Sequence, residues 1–335
     1  MRKEIEERVA KAIQENVFPG CVIGIVRANG ESEIAPFGSS IYGTGGERVK
    51  ADTVYDLASI TKSIPTSSLA LLLIAEGKLT LSDTVKKYLP ELENDYDATI
   101  EDLLTYRVHG TQLSLLKDKT PDEFIAHVFS HGFDCSRGEQ NYTNLPAFLL
   151  GLILERVTDE SLDALARRHF FEPLGMKNTT FFPKKIPYME QKPIPYMESV
   201  PTEIDEQGNV VCGMPHDESA RIFAKVEKAV GHAGLFSTVP DLLNFLEALL
   251  QGKYLHIVEG AEKGLGWQLN DANLMGQHTG PRLFGKTGFT GCSVICDINR
   301  GVAFAILSNR AYPKRPPDQK AINAFRRDIV GIIFS

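Results

Sequence analysis

The sequence lacks any long apolar run. The longest, residues 69–75, is far shorter than the roughly 20 apolar residues that a helix needs to cross a bilayer. Residues 1–9 are charged throughout and lack the apolar stretch of a secretory signal. We therefore expect no membrane span, and we expect the protein to be cytoplasmic.

Cysteine is scarce as well. The chain of 335 residues has five cysteines, an odd number, scattered and without a Cys-x-x-Cys pair. They are Cys21, Cys135, Cys212, Cys292 and Cys296. This usage favours reduced thiols, as found in cytosolic proteins, over a disulfide framework.

Positive charge is also limited. Lys and Arg number 36 against 43 Asp and Glu, which gives a net charge of −7. No basic stripe is present to neutralise phosphates, so nucleic acid is not an expected partner.

A Gly-x-Ser-x-Gly motif is absent, which disfavours an α/β-hydrolase. His127 and His131 lie four residues apart but lack the glutamate and third ligand of a zinc site, so we expect no metal.

Hydrophobic patterns place strands near both ends of the chain. Helical periodicity fills most of the middle. The predicted strands cover residues 21–26, 33–37, 283–286, 292–297 and 302–307. This pattern predicts an α/β (α+β) fold, in which one antiparallel sheet assembled from both termini is flanked by helices and an all-α lobe is inserted.

The length predicts two lobes, or one domain with a large insertion. We assign residues 1–60 and 230–335 to the α/β lobe and residues 61–229 to the mainly helical lobe, with the active site between them. Residues 183–215 are rich in proline and contain Ile-Pro-Tyr-Met-Glu twice, so we predict an irregular excursion over the surface near the site.

Ser59-Ile60-Thr61-Lys62 reads Ser-x-x-Lys. On a helix, positions i and i+3 share a face, so the Ser59 hydroxyl and the Lys62 amine can meet. A serine becomes an effective nucleophile when a neighbour takes its proton and N–H groups receive the oxyanion. The motif alone also fits a helix N-cap followed by a solvated lysine. Pro65 removes a backbone donor and predicts a kink at the helix start.

Two further motifs follow in the chain. Tyr142-Thr143-Asn144 stands just before a predicted helix, and Lys286-Thr287-Gly288 stands at the end of a predicted strand. Gly288 allows close approach of an extended substrate, and the next N–H, from Phe289, can face an oxyanion. The similar triplet His278-Thr279-Gly280 is followed by Pro281 and not by an apolar strand, so we prefer Lys286.

Ser-x-x-Lys, Tyr-x-Asn and Lys-Thr-Gly in this order resemble the serine β-lactamase and penicillin-binding protein superfamily. The resemblance is to its class C-like branch of β-lactamases, carboxylesterases and D-amino-acid peptidases. Similar segments extend over nearly the whole chain, and the resemblance implies a β-lactamase/transpeptidase-like fold. Residues 106–110, Tyr-Arg-Val-His-Gly, depart from the His-Thr-Ser-Gly-like segment of relatives, which leaves the substrate open.

The resemblance implies a role for each motif residue. Ser59 would be the nucleophile, and Lys62 with Tyr142 would remove its proton, both with lowered pKa values. The N–H groups of Ser59 and Phe289 would form the oxyanion hole.

Substrate contacts follow from the same resemblance. Asn144 would orient the substrate carbonyl, and Lys286, Thr287 and Gly288 would bind substrate. His216 and Asp217 are given a scaffold role. We therefore expect a serine hydrolase without a cofactor, acting through an acyl-enzyme on small esters, amides or β-lactams. A D-amino-acid peptidase and a non-catalytic ligand-binding module are the alternatives, and the oligomeric state stays open.

Overall fold

The structure is a computed structural model that describes residues 1–134, 138–183 and 199–335. The α-helices are α1 (Arg2–Gln14), α2 (Ser68–Ala75), α3 (Val85–Tyr88), α4 (Ile100–Leu104), α5 (Pro121–His131), α6 (Leu145–Thr158), α7 (Leu162–Ala166), α8 (Glu218–Ala224), α9 (Val239–Leu250), α10 (Leu255–Ala261), α11 (Ala272–Met275) and α12 (Lys320–Phe334). Short 3-10 segments cover Ala58–Lys62 and Leu113–Leu116, and π-helical turns cover Ser63–Ser67 and Arg167–Phe171. The strands are β1 (Gly20–Arg27), β2 (Ser32–Gly38), β3 (Tyr55–Asp56), β4 (Glu203–Ile204), β5 (Val210–Val211), β6 (Phe236–Ser237), β7 (Gln268–Leu269), β8 (Leu283–Thr287), β9 (Ser293–Asp297) and β10 (Val302–Ser308).

One six-stranded antiparallel sheet has the order β2-β1-β10-β9-β8-β7. β1, near the N-terminus, pairs with β10, near the C-terminus, from Cys21 opposite Ser308 to Arg27 opposite Val302. The predicted sheet assembled from both termini is therefore confirmed. β7 was not predicted, because a strand of two residues is too short to show an alternating pattern.

Helices cover both faces of this sheet. Along β1, Val22 and Val26 join the larger core, whereas Ile23 and Ile25 join a second core shared with α1 and α12. This alternation is expected of a strand buried on both faces. α9 packs so closely on β1 that a Cβ at Gly24 would lie 2.3 Å from a Val239 methyl carbon. The predicted antiparallel sheet flanked by helices is confirmed.

The described chain between β3 and β6 contains the helices α2 to α8 and contributes many residues to the larger core. The lobe boundaries at residues 60 and 230 stay a prediction. Of the predicted irregular excursion, residues 184–198 lie outside the described residues, and so do both copies of Ile-Pro-Tyr-Met-Glu. The described remainder differs from the prediction, because β4 and β5 form a small antiparallel pair.

Within the described residues, one helical stretch has the length and composition of a membrane-crossing segment. It is Ala58–Ala75, with a mean hydropathy of 1.3, and 78% of it is buried inside the protein. An apolar helix at the centre of a folded core meets the same criteria, and this stretch carries Ser59 and Lys62. The expected lack of a membrane span stays a prediction.

The cysteines that the structure describes are free and buried: Cys21, Cys212, Cys292 and Cys296. Cys135 lies outside the described residues. The rings of His127 and His131 stack with centroids 6.1 Å apart. Across residues 1–134, 138–183 and 199–335, no group of three or more His, Cys, Asp or Glu side chains is placed to hold a metal ion.

Candidate active site

Ser59 lies at the start of a helical segment that changes type twice. The 3-10 helix Ala58–Lys62 leads into the π-helical turn Ser63–Ser67, and α2 follows. Ile64 has φ −117° and ψ 108°, outside the helical region, so the kink predicted from Pro65 is confirmed. Side chains at i and i+3 eclipse one another in a 3-10 helix, so Ser59 and Lys62 face the same way.

A buried carboxylate fixes the entry to this helix. Asp56 accepts hydrogen bonds from the N–H of Ala58 at 2.8 Å and of His216 at 2.6 Å. Ala58 has φ 47°, a left-handed conformation that costs a non-glycine residue about 1–2 kcal/mol. The His216 ring stacks on the Phe289 ring with centroids 5.0 Å apart. Asp56 therefore connects the residue before Ser59 with the loop that packs on Phe289.

Lys62 is a buried amine in contact with the nucleophile. Its Nζ donates to Ser59 Oγ at 2.8 Å and to the His232 carbonyl at 2.8 Å, and the residue is 0% exposed. Burial lowers the pKa of Lys62 to about 7, while the negative charge of Asp217 opposes this shift. A large share of Lys62 is therefore neutral near pH 7, with a lone pair that can accept the Ser59 proton. The lowered pKa predicted for Lys62 is confirmed.

The second and third motifs meet the first around Tyr142. Lys286 Nζ lies 4.7 Å from the centre of the Tyr142 ring, and Lys62 Nζ lies 5.3 Å from it. Burial, together with the nearby charge of Lys62, lowers the pKa of Lys286 well below its usual value. The ring of His278, which belongs to the rejected triplet, packs instead against Phe334 of α12 with centroids 5.3 Å apart.

The pKa expected for Tyr142 is wrong in direction. The residue as a whole is 51% exposed, but its hydroxyl end is enclosed beside Ser59. Burial raises the pKa of Tyr142, and a hydrogen bond with Ser59 only partly opposes this. The prediction assumed two lysine charges stabilising a phenolate, whereas burial lowers the pKa of both Lys62 and Lys286. Tyr142 therefore stays a neutral phenol near pH 7, which suits a proton donor.

Gly288 brings the end of β8 against the chain that precedes Ser59. A Cβ at Gly288 would lie 2.3 Å from the Leu57 carbonyl oxygen. The buried Arg326 donates to the carbonyls of Gly288 at 2.9 Å and Cys292 at 2.7 Å, and so fixes the loop that carries Phe289. The segments that bear the N–H groups of Ser59 and Phe289 therefore adjoin one another.

Thr287 forms hydrogen bonds with Gln268, a residue that the sequence did not indicate as part of the site. Its N–H and its hydroxyl both donate to Gln268 Oε1, at 2.8 Å and 3.1 Å. Gln268 belongs to β7, the strand that the pattern did not predict.

Three other residues of the site were missed or undervalued. The buried Tyr106 hydroxyl accepts a hydrogen bond from Lys286 Nζ at 3.2 Å. Asp217, expected to be a scaffold residue, accepts from Asn144 Nδ2 at 2.9 Å. Tyr106 lies in the segment that departs from relatives, which was the available signal. His232 holds Lys62 through a backbone carbonyl, which every residue has, so nothing in the sequence pointed to it.

Comparisons with known proteins agree with this geometry. The family model "Beta-lactamase" matches residues 5–327. The chain is 26% identical over 381 residues to an "N-acetylmuramyl-L-alanine amidase" of Bacillus subtilis. This alignment covers 97% of this chain and 85% of that protein. It is 27% identical over 317 residues to a "Putative D-alanyl-D-alanine carboxypeptidase" of Escherichia coli K12, which covers 82% of this chain and 73% of that protein.

Solved structures show the same fold. A "Beta-Lactamase/D-Alanine Carboxypeptidase" from Pseudomonas syringae superposes with a TM-score of 0.74 at 19% identity, covering 98% of each chain. A "D-alanine Carboxypeptidase AmpC" from Burkholderia cenocepacia superposes with a TM-score of 0.73 at 20% identity, covering 99% of this chain and 98% of that one. The family match over nearly the whole sequence, together with this shared fold, shows that the chain belongs to the beta-lactamase family and is a serine hydrolase.

Proposed function

We propose that the protein hydrolyses small esters or amides through an acyl-enzyme on Ser59. The observation that carries this proposal is the 2.8 Å contact between Ser59 Oγ and the amine of the fully buried Lys62. A lysine in water has a pKa of about 10.4 and is almost entirely charged at pH 7. Lys62 has a pKa of about 7, so much of it is neutral at that pH and can act as a base, which a lysine in water cannot do.

Acylation begins when neutral Lys62 accepts the hydroxyl proton of Ser59 as Oγ attacks the substrate carbonyl carbon. The N–H groups of Ser59 and Phe289 receive the oxyanion, and losing one donor of such a pair costs about 3 kcal/mol. As the carbonyl re-forms, the bond to the leaving group breaks, and the Tyr142 phenol donates a proton to that group. The Lys62 ammonium then returns a proton to Tyr142, so the base is neutral again.

Hydrolysis of the acyl-enzyme uses the same base. A water molecule gives a proton to neutral Lys62 and attacks the acyl carbon. Ser59 Oγ then leaves and recovers the proton, which releases the acid. Asn144 donates one of its two side-chain N–H groups to Asp217, so the second N–H can donate to a substrate carbonyl.

A D-amino-acid peptidase is the second candidate, favoured by the similarity to a putative D-alanyl-D-alanine carboxypeptidase of Escherichia coli. A peptide substrate with a free C-terminus would present a carboxylate to the expected substrate-binding residues Lys286 and Thr287. Burial lowers the pKa of Lys286, and the Thr287 hydroxyl already donates to Gln268. Both observations favour neutral esters and amides over carboxylate-bearing peptides as the preferred substrates.

The test uses Ser59→Ala with three substrates in parallel: p-nitrophenyl esters, D-aminoacyl p-nitroanilides and nitrocefin. We expect ester turnover by the wild type, no turnover by Ser59→Ala, and the same thermal unfolding midpoint for both. Ser130→Ala, which changes an exposed serine of α5, is the matched control and should keep full activity.

Intact mass after incubation with an organophosphonate separates the enzyme from a non-catalytic binding module. One covalent adduct is expected on the wild type and none on Ser59→Ala. Retained turnover by Ser59→Ala, or an unmodified wild-type protein, would refute the proposal.

A cytoplasmic location is also proposed, supported by the free state of the four described cysteines. Fractionation of cells that express the full-length native gene tests it, and recovery in an exported fraction would overturn it.

A further inference from the structure

Asp217 connects two of the three motifs. Its Oδ2 accepts a hydrogen bond from Asn144 Nδ2 at 2.9 Å. Its Oδ1 lies 3.3 Å from His232 Nε2, and the His232 carbonyl accepts from Lys62 Nζ at 2.8 Å. A single carboxylate therefore contacts the asparagine of the second motif and the residue that holds the lysine of the first.

The carboxylate sits in a site built to hold it. Asp217 Oδ1 also accepts from the N–H of Ala220 at 3.0 Å, at the start of α8, and from the Ser219 hydroxyl. The His232 side chain is fully buried, which lowers its pKa and favours the neutral imidazole. Although burial alone would raise the pKa of Asp217, these donors keep it well below its usual value. Asp217 is thus ionised, with both oxygens occupied.

We propose that Asp217 is a positioning residue of the active site, whose carboxylate fixes the orientation of the Asn144 amide and places its negative charge beside Lys62. The inference rests on the proposed acyl transfer at Ser59.

The hydrogen bond between Asn144 and Asp217 fixes which way the Asn144 amide is turned. An amide side chain has a donor end and an acceptor end of similar shape, and a carboxylate accepts only from the donor end. With Asp217 ionised, the Asn144 nitrogen is turned toward it, and the amide cannot flip without placing two acceptors together. A bond to a charged partner is among the stronger ones in proteins. Asp217 therefore holds Asn144 in one orientation before substrate arrives.

The charge of Asp217 acts on Lys62 as well. The charged and titratable groups that face Lys62 are Asp217, His232, Lys286 and Tyr142. Of these, Asp217 is the group whose charge raises the pKa of Lys62 against burial. Because Lys62 acts as a base only when neutral, removing that charge moves the acid limb of the pH–rate profile to lower pH.

The test compares Asp217→Asn and Asp217→Glu with the wild type. Single-turnover release of p-nitrophenol from p-nitrophenyl acetate is measured from pH 5 to 9, and rates are normalised to active sites titrated with an organophosphonate. For Asp217→Asn we expect an acylation rate about tenfold or more below wild type on the pH plateau, with the acid limb shifted to lower pH. Asp217→Glu keeps the charge but displaces it, so its rate falls while the acid limb stays in place.

Removing the cap of a different helix shows what the loss of a purely structural contact does. Ser161→Ala removes the side-chain acceptor at the start of α7, where Ser161 accepts from the N–H of Ala164 at 3.3 Å. This control should lose stability but keep the wild-type rate per active site and the wild-type acid limb.

The outcomes separate this inference from the proposed function. If the wild type is not acetylated on Ser59, the proposed function fails. If the wild type reacts, and Asp217→Asn keeps its rate and acid limb per active site, the inference alone is overturned. Should Asp217→Asn fail to fold, Asp217→Glu carries the test, and a wild-type acylation rate per active site in that variant would overturn the inference.

Discussion

Gly288→Ala tests whether the close approach of two backbone segments builds the oxyanion hole. The new Cβ would lie 2.3 Å from the Leu57 carbonyl oxygen, whereas real Cβ atoms keep at least 3.0 Å from such atoms. The end of β8 must therefore move away from the chain before Ser59 by about 0.7 Å or more. The opposing atom is backbone, so no side-chain rotation can relieve the contact.

The displacement separates the two N–H groups proposed to receive the oxyanion. A misplacement of about 1 Å in a catalytic constellation costs on the order of a hundredfold in rate. We expect acylation by Gly288→Ala to be about 30- to 100-fold slower than wild type, with a loss of unfolding free energy of about 1–3 kcal/mol from overpacking.

The assay is single-turnover acylation by p-nitrophenyl acetate, with thermal unfolding measured on the same samples. Gly280→Ala is the matched control, because its Cβ would meet nothing closer than Leu283 Cβ at 3.7 Å. That control should keep the wild-type rate. A folded Gly288→Ala protein that acylates as fast as the wild type would refute the reasoning about the oxyanion hole.

Three further predictions concern protonation and the buried polar groups. The acylation rate should rise as pH increases through about 7, because Lys62 with a pKa of about 7 is a base only when it has lost its proton; a rate that is flat from pH 5 to 9 would contradict this. Tyr106→Phe removes the hydroxyl 3.2 Å from Lys286 Nζ, and should slow acylation about three- to tenfold while leaving the protein folded; circular dichroism and the single-turnover assay check this. Burial raises the pKa of Asp56 to about 6, so the folded state binds this proton more tightly than the unfolded state. Relative to Asp56→Asn, the wild type should therefore lose up to about 3 kcal/mol of unfolding free energy as pH rises from 4 to 7, measured by urea denaturation, and a difference that does not change with pH would contradict this.

The parts of the fold that the sequence predicted are those with long, regular patterns. β1 and β10 are apolar runs long enough to show strand character, and their burial along nearly the whole length fits interior strands of the sheet. The kink at Ile64 followed from Pro65, because proline lacks an N–H wherever it stands. The short strands β5 and β7 escaped prediction, since two residues carry no period.

In the active site, some contacts follow from the spacing of residues in the sequence, and others arise only from tertiary packing. Ser59 and Lys62 are three residues apart, so the chain itself brings them together once a helix forms. The contact between Asn144 and Asp217 spans 73 positions, and that between Lys62 and His232 spans 170. No spacing rule covers such separations, which is why Asp217 was assigned a scaffold role.

The sequence by itself determined the motif side chains of the site, because the order and spacing of Ser-x-x-Lys, Tyr-x-Asn and Lys-Thr-Gly are covalent facts. The tertiary structure alone decided their protonation: Lys62 loses its proton easily and Tyr142 holds its own. A pKa depends on how much water and which charges surround a group, and those surroundings come from segments far away in the chain.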